Sequence, residues 1–299
     1  MIVNKIQKIY YKMQKYPVTK KIVIFLQRRN LVHKIKYLFG GGQRDRREAS
    51  NPTKVMLESR RFFQENQKRI HAVMEIMADD FSRDVYLAVW NYRMFRTPIL
   101  KKFYDEKNQY LVDGILKLEE NEVFVDGGGY VGDTIEKLYS YAEKRKICIK
   151  RIITFEPEKS NFMYIQKMKK KYPEIVLIKK GLSWKEGNLF FDEKGVCAKI
   201  VDKMQDATTK IPVINIDNVN ECRDATYIKM DIEGAEMDAL KGAENTILRN
   251  HPKLAICIYH KDADMIQVIE YIHQLVPEYK IYVRHHSRCQ NETVCYAVE

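Results

Sequence analysis

The sequence predicts an α/β protein in which a Rossmann-like, mostly parallel sheet closes with an antiparallel hairpin and is preceded by a helical amino-terminal region. Three observations carry this expectation. From Glu122 onward, short apolar runs alternate with segments of helical period, the pattern of strands separated by helices. The last two strand-like runs, "YKIYVRHHS" (279–287) and "ETVCYAVE" (292–299), are joined by four residues. A parallel pair needs a crossover of about a dozen residues or more, so if these two pair directly they are antiparallel. Between Thr53 and Tyr104, apolar positions such as Phe62, Phe63, Ile70, Val73, Met77, Val85 and Trp90 recur with almost no breakers, which predicts helix.

The elements follow in order. Within "MIVNKIQKIYYKMQKY", Ile2, Ile6, Ile9 and Met13 form one helical stripe and Lys5, Lys8, Lys12 and Lys15 another, so the chain opens on a short basic amphipathic helix that Pro17 ends. A further basic apolar segment reaches Phe39, and "GGGQRDRREASNP" (40–52) reads as a polar linker. The expected organisation is an arm and linker over residues 1–50, a helical region over 51–121 and a ligand-binding domain over 122–299. In that last part the expected strands are "EVFVD", "RIITFE", "IVLIKKG", the pair "NLFFDE" and "IPVINID", "ATYIKMD" and "LAICIYH", with helices from about Ser160 and from Gly234, and "ADMIQVIEYIHQL" before the closing hairpin. A Rossmann-like sheet that ends in an antiparallel hairpin is the class I methyltransferase architecture rather than the plain dehydrogenase one.

Net charge is +12, yet residues 1–48 hold 13 Lys/Arg against Asp45 and Glu48, while the other 251 residues carry 39 bases against 38 acids. Attraction to polyanions is therefore expected of the arm and not of the main body. The six cysteines form no C-x-x-C pair, and Cys257 and Cys295 sit in apolar runs, which indicates neither a zinc site nor a disulfide framework. The longest early apolar run, Ile22 to Leu26, is too short for a signal sequence or a spanning helix. These features point to a cytoplasmic location, with the arm as a candidate for peripheral contact with the inner face of an anionic membrane.

The chemistry concentrates at predicted carboxyl ends of strands. "EVFVDGGGYVGDTIEKL" (122–138) is a strand, a glycine loop and a helix start, and Gly127, Gly129 and Gly132 satisfy G-x-G-x-x-G. In a dinucleotide site such a loop holds a pyrophosphate at a helix N-terminus. Here Asp126 and Asp133 flank the glycines; two carboxylates repel a pyrophosphate but attract the ammonium of a methionine moiety, so S-adenosylmethionine fits the charges better. The alternative is that Asp133 is a helix N-cap and Asp126 a turn residue. Glu156, at the tip of "ITFEPE", is placed to accept hydrogen bonds from a ribose diol, or else is a surface carboxylate in a turn begun by Pro157.

In "YIKMDIEGAE" (227–236), alternation puts Tyr227, Lys229 and Asp231 on one face and Ile228, Met230 and Ile232 on the other. A lysine and an aspartate in an apolar sheet must pair with each other or face a cleft. "LAICIYH" delivers His260 to the same edge, as a base or as a structural residue. His251, His285 and His286 lack metal-ligand spacing and are given no role, and no metal site is expected.

"VFVDGGGYVGDT", "ITFEPEKSNF", "GLSWKEGNLFF", "YIKMDIEGAEMDALKGAENTI" and "ICIYHKDADMIQVIEYI" occur in the order seen in FkbM-type S-adenosylmethionine-dependent methyltransferases, which the chain closely resembles from about Glu122 to Glu299. The resemblance implies O-methylation of a hydroxyl on a sugar, a glycan or a related metabolite, commonly in bacterial surface-polysaccharide synthesis. It maps Asp126, Gly127 and Gly129 to the first cofactor motif, with Gly128, Tyr130, Asp133 and Thr134 completing the loop, Glu156 beside Pro157 to the ribose-binding acid, and Asp231 to the acid near the methyl group. The arm and the helical region lie outside the familiar core.

Methyl transfer to a hydroxyl asks an enzyme to position the oxygen and to help remove its proton. The expectation is that Asp231 or His260 accepts or relays that proton, with Lys229 and Glu233 shaping the pocket. Two other classes compete: a nucleic-acid methyltransferase using the arm, disfavoured by the balanced main body, and a non-methylating NAD-type protein.

Overall fold

The run "EVFVDG" forms β1 (Glu122–Gly127), buried along its whole length with a strand on either side. The computed structural model describes residues 52–106, 109–192, 199–201 and 209–299; the expected basic arm, residues 1–50 with its amphipathic stripe, lies outside the described residues. Parallel strands flank β1 on both sides. They are β2 (Ile149–Phe155) and β3 (Ile175–Ile178) on one side, β8 (Tyr227–Met230) and β9 (Lys253–Cys257) on the other. The sheet is completed by β10 (Lys280–His285) and β11 (Thr293–Val298), giving the order β10-β11-β9-β8-β1-β2-β3. The closing hairpin pairs directly and antiparallel, and β11 is antiparallel to β9, as the four-residue connection requires.

Alternation splits the strands' side chains between two cores. Val123, Val125, Ile228, Met230, Leu254 and Ile256 face one side, where the helical amino-terminal region and the helices that follow β8 and β9 pack. Phe124, Ile152, Tyr227, Ala255, Cys257 and Tyr296 face the other, against α4 (Asp133–Arg145), α5 (Lys159–Met168) and the segment holding Tyr110, Leu116 and Leu118. Helices on both faces of a largely parallel sheet make the fold doubly wound.

The amino-terminal region, expected to be helical, holds three α-helices: α1 (Pro52–Glu65), α2 (Gln67–Glu75) and α3 (Asp80–Phe95). The breaks have local causes. Asp79 takes an extended conformation and its side chain accepts the Ser82 N–H at 2.6 Å, so α3 starts afresh, and Arg96 ends it in the left-handed region. Trp90 of α3 is fully buried against Phe63 and Tyr86. This region also satisfies the outer edge of β10: the Ala78 and Asp105 N–H groups donate to Ile281 O and His285 O, and Ser82 Oγ accepts from the Val283 N–H.

Two further expectations are revised. The pair "NLFFDE" and "IPVINID" does form antiparallel strands, β5 (Gly187–Asp192) and β7 (Thr209–Ile214), but these belong to a separate four-stranded sheet with β4 (Gly181–Leu182) and β6 (Lys199–Val201), in the order β4-β7-β5-β6. The helix expected from Gly234 is split into α6 (Glu236–Lys241) and α7 (Glu244–Asn250), with Gly242 between them packed so closely that a Cβ there would lie 2.2 Å from the Ser183 carbonyl oxygen. After β9, α8 (Asp264–Leu275) returns the chain to the hairpin. Among the described residues no helix is long and apolar enough to cross a membrane.

Candidate active site

The carboxyl ends of β1, β8 and β9 lie side by side, and the loops that leave them hold most of the residues singled out in the sequence. The glycine loop folds back on its own protein. The Gly128 and Gly129 N–H groups donate to Phe155 O, at 3.1 and 3.0 Å. Gly128 has φ +83° and a Cβ there would meet the Asp231 carbonyl at 2.0 Å; a Cβ on Gly129 would meet Thr154 Oγ1 at 2.2 Å. The close approach that demands glycine at these two positions comes from neighbouring strands. Gly128, outside the G-x-G-x-x-G frame, makes the tightest contact of the loop. Tyr130 follows with positive φ and an exposed ring, and Thr134 is buried in the first turn of α4.

Asp126 does not offer a free carboxylate to a ligand. It is fully buried, its Oδ1 is 2.9 Å from Lys229 Nζ, and its Oδ2 accepts from Thr154 Oγ1 at 3.2 Å. This corrects the charge argument drawn from it, and also the alternative of a Lys229–Asp231 pair: the β1–β8 register sets Lys229 opposite Asp126. Lys229 Nζ further donates to Gly127 O and Gly128 O, at 3.1 and 2.7 Å, so the lysine ties down the loop instead of shaping a pocket wall. Burial opposes its charge, but Asp126 and then Asp231 hold its pKa above the usual lysine range. Asp133 is likewise not an N-cap. Gly132 occupies that position, and Asp133, half exposed in the first turn, sits 3.5 Å from Lys137.

Glu156 is buried at the end of β2, not at the surface. Its oxygens accept the Tyr130 and Glu158 N–H groups, each at 2.8 Å, which couples the glycine loop to the next strand end. Burial pushes its pKa up. Pro157 separates it from Glu158, the N-cap of α5.

Asp231 and His260 are brought together, with Nε2 of the histidine 3.6 Å from Asp231 Oδ1 and 3.7 Å from Glu233 Oε2. The sequence left three neighbours unassigned. Tyr110 and Tyr259 each donate a phenol hydrogen bond to Asp231, to Oδ2 and Oδ1 respectively and both at 2.9 Å. Glu236, wholly buried, brings Oε1 to 3.0 Å from His260 Nδ1 and accepts the Ile232 N–H on the same oxygen at 2.8 Å. Tyr259 could have been found beside His260, and Glu236 within "DIEGAE"; Tyr110 had no signal, since it arrives from the segment ahead of β1.

The charges have clear consequences. Burial works against ionised Asp231, but Lys229, His260 and the two phenols hold its pKa below the usual carboxylate value. Burial also works against protonated His260, yet Glu236, Asp231 and Glu233 raise it to about 9. The raised pKa favours the protonated imidazole near neutral pH, so of the two residues expected to accept or relay the proton Asp231 is the one held ionised.

A family model described as the methyltransferase FkbM domain matches residues 126–280. Among solved structures, an FkbM methyltransferase from Methylobacillus flagellatus is similar at 27% identity and a TM-score of 0.67, over 79% of this chain and 60% of that one. This chain thus spans less than two thirds of that relative's length. An rRNA methylase from Streptococcus thermophilus is similar at 14% identity and a TM-score of 0.38, over 61% of this chain and 88% of that one. The fibrillarin of Aeropyrum pernix with natively bound S-adenosyl-L-methionine is similar at 13% identity and a TM-score of 0.37, over 63% of this chain and 72% of that one. The last two likenesses are too distant to bear on function. No curated protein matches the chain. With a family match over more than half its residues, running from Asp126 in the glycine loop to the start of β10 and taking in the Asp231–His260 cluster, the chain belongs to the FkbM methyltransferase family.

Proposed function

We propose that the protein is an S-adenosylmethionine-dependent O-methyltransferase acting on a hydroxyl of a sugar, a glycan or a related metabolite. The observation that carries this reading is the carboxylate cluster of Asp231, Glu233 and Glu236 on the same sheet edge as the glycine loop. The donor set fits the cofactor: Glu156 stands at the carboxyl end of β2, where a ribose diol is held in Rossmann-like sites, and Asp133 and Asp231 suit a cationic ligand better than a pyrophosphate. The cofactor would supply an electrophilic methyl group on a sulfonium. On the protein's side, Gly127–Tyr130 would shape the seat for its methionine part and Glu156 would take the ribose. Asp231, oriented by Tyr110 and Tyr259, would accept a hydrogen bond from the acceptor hydroxyl and hold its oxygen in line.

Calorimetric titration with S-adenosylhomocysteine and with NAD tests the reading. Saturable binding of the former and none of the latter is expected; tighter binding of NAD overturns it. A role in polysaccharide synthesis at the inner membrane face belongs to the same proposal, supported by the excess of Lys and Arg in the sequence of residues 1–39. Flotation of the full chain with anionic liposomes, but not of a chain beginning at Asn51, is the expected outcome, and equal flotation of the two removes it.

A further inference from the structure

We propose that Asp231, Glu236 and His260 form a binding site for one divalent cation of the Mn2+ type. One ligand atom from each residue lies within 4.8 Å of the others, a spread that suits an ion about 2.1–2.5 Å from every donor. The cluster has a second property that ordinary acidic groups lack. Glu236 is fully buried, and its Oε2 has no hydrogen-bond partner. Neither ring nitrogen of His260 makes a hydrogen bond, although the side chain is 10% exposed and Nδ1 is close to Glu236 Oε1. Unpartnered buried polar atoms on two facing side chains are costly, and a cation between them satisfies both.

The charge balance agrees. Asp231, Glu233 and Glu236 surround a single imidazole, while Lys229 is engaged with Asp126 and the side chain of Lys261 with Gly234 O. Three carboxylates around one histidine leave the cluster short of positive charge, and a cation binding there displaces the His260 proton to free a ring nitrogen as a ligand. Two carboxylates with one imidazole are a mixed set: oxygen donors suit Mg2+, Ca2+ and Mn2+, imidazole suits the transition metals, and Mn2+ accepts both. Tyr110 and Tyr259 orient Asp231 from behind, the arrangement that outer partners adopt around a metal-binding carboxylate. Asp231 and Glu233 are partly open to solvent, so the ion can be reached and retains positions for oxygen ligands from outside the protein. The further step, that a coordinated oxygen there is the methyl acceptor's hydroxyl, rests on the methyltransferase reading.

The test is a titration of the chelator-treated full chain with Mn2+ alone, following loss of the free-ion electron paramagnetic resonance signal. One saturable site per chain is expected, with Glu236→Gln and His260→Ala each weakening it tenfold or more. Circular dichroism verifies that the variants fold, and Asp231→Asn carries the same expectation should either of them fail to. Absence of saturable uptake by the wild-type chain, or unchanged uptake by folded variants, overturns the proposal. S-adenosylhomocysteine calorimetry on the same samples separates the two ideas: retained cofactor binding without Mn2+ uptake removes the metal site alone, and Mn2+ uptake without cofactor binding removes the methyltransferase reading alone.

Discussion

Lys229→Met is the substitution that probes the site most directly. The ammonium is 3% exposed and the Asp126 carboxylate 0%, with 2.9 Å between Nζ and Oδ1, so water cannot replace either partner. Removing one member of such a pair strands a buried charge, at about 3–5 kcal/mol. The same change removes the Lys229 hydrogen bonds to Gly127 O and Gly128 O, leaving Gly127 O only the Asp231 N–H at 3.0 Å and loosening the glycine loop from β8. Since a domain of this kind is stable by about 5–15 kcal/mol, the loss takes a large share of the total. Equilibrium unfolding in urea should show the midpoint falling accordingly, and calorimetry should show weakened S-adenosylhomocysteine binding by whatever remains folded. Adding Asp126→Asn to Lys229→Met removes the stranded charge and should recover at least half of the lost stability. A single-variant loss below about 1 kcal/mol, or a double variant no more stable than the single, would refute the reasoning.

Two other outcomes follow from the same geometry. Gly129→Ala puts a methyl group where Thr154 Oγ1 and Ile165 Cδ1 already lie, at 2.2 and 2.8 Å, so it should displace the loop and lower S-adenosylhomocysteine affinity at least tenfold in calorimetry, while Gly187→Ala, with open space around it, should leave that affinity unchanged. Burial, then His286 and Arg93, push the pKa of His285 from 6.5 down to about 3, so the folded protein keeps this ring neutral; its contribution to stability is complete above about pH 6.5 and is lost as pH falls toward 3. Urea midpoints between pH 7 and pH 4 should therefore decline more steeply for the wild-type chain than for His285→Gln, and parallel declines would contradict the assignment.

How much of this was legible beforehand depended on how local the information was. The antiparallel closure followed from a four-residue connection that permits nothing else, and the shared face of Tyr227 and Lys229 followed from alternation. The partner of Lys229 did not follow, because it is set by the register of β8 against β1, two strands about a hundred residues apart in sequence. The second sheet escaped notice because β4 and β6 are two and three residues long, too short for any periodicity. Asp231 and His260 were visible as polar residues at strand ends. Glu236 was visible within "DIEGAE" but its place was not, since only the loop through Glu233 and Gly234, both at positive φ, turns the first residue of α6 inward. The protonation of His260 was not legible for a related reason: a histidine's proton affinity is decided by the carboxylates folded around it.

The outer edge of β10 has a bearing on how this protein's core can be handled. Its backbone groups at Ile281, Val283 and His285 are taken by Ala78, Ser82 and Asp105. An edge strand with these groups bare is a template onto which another chain can add a strand. Residues 77–105 thus act as a selvage that stops the weave from continuing into a neighbouring molecule. A fragment beginning at Glu122 would keep the glycine loop and β10 but expose that border, and its first tendency would be to stick to copies of itself.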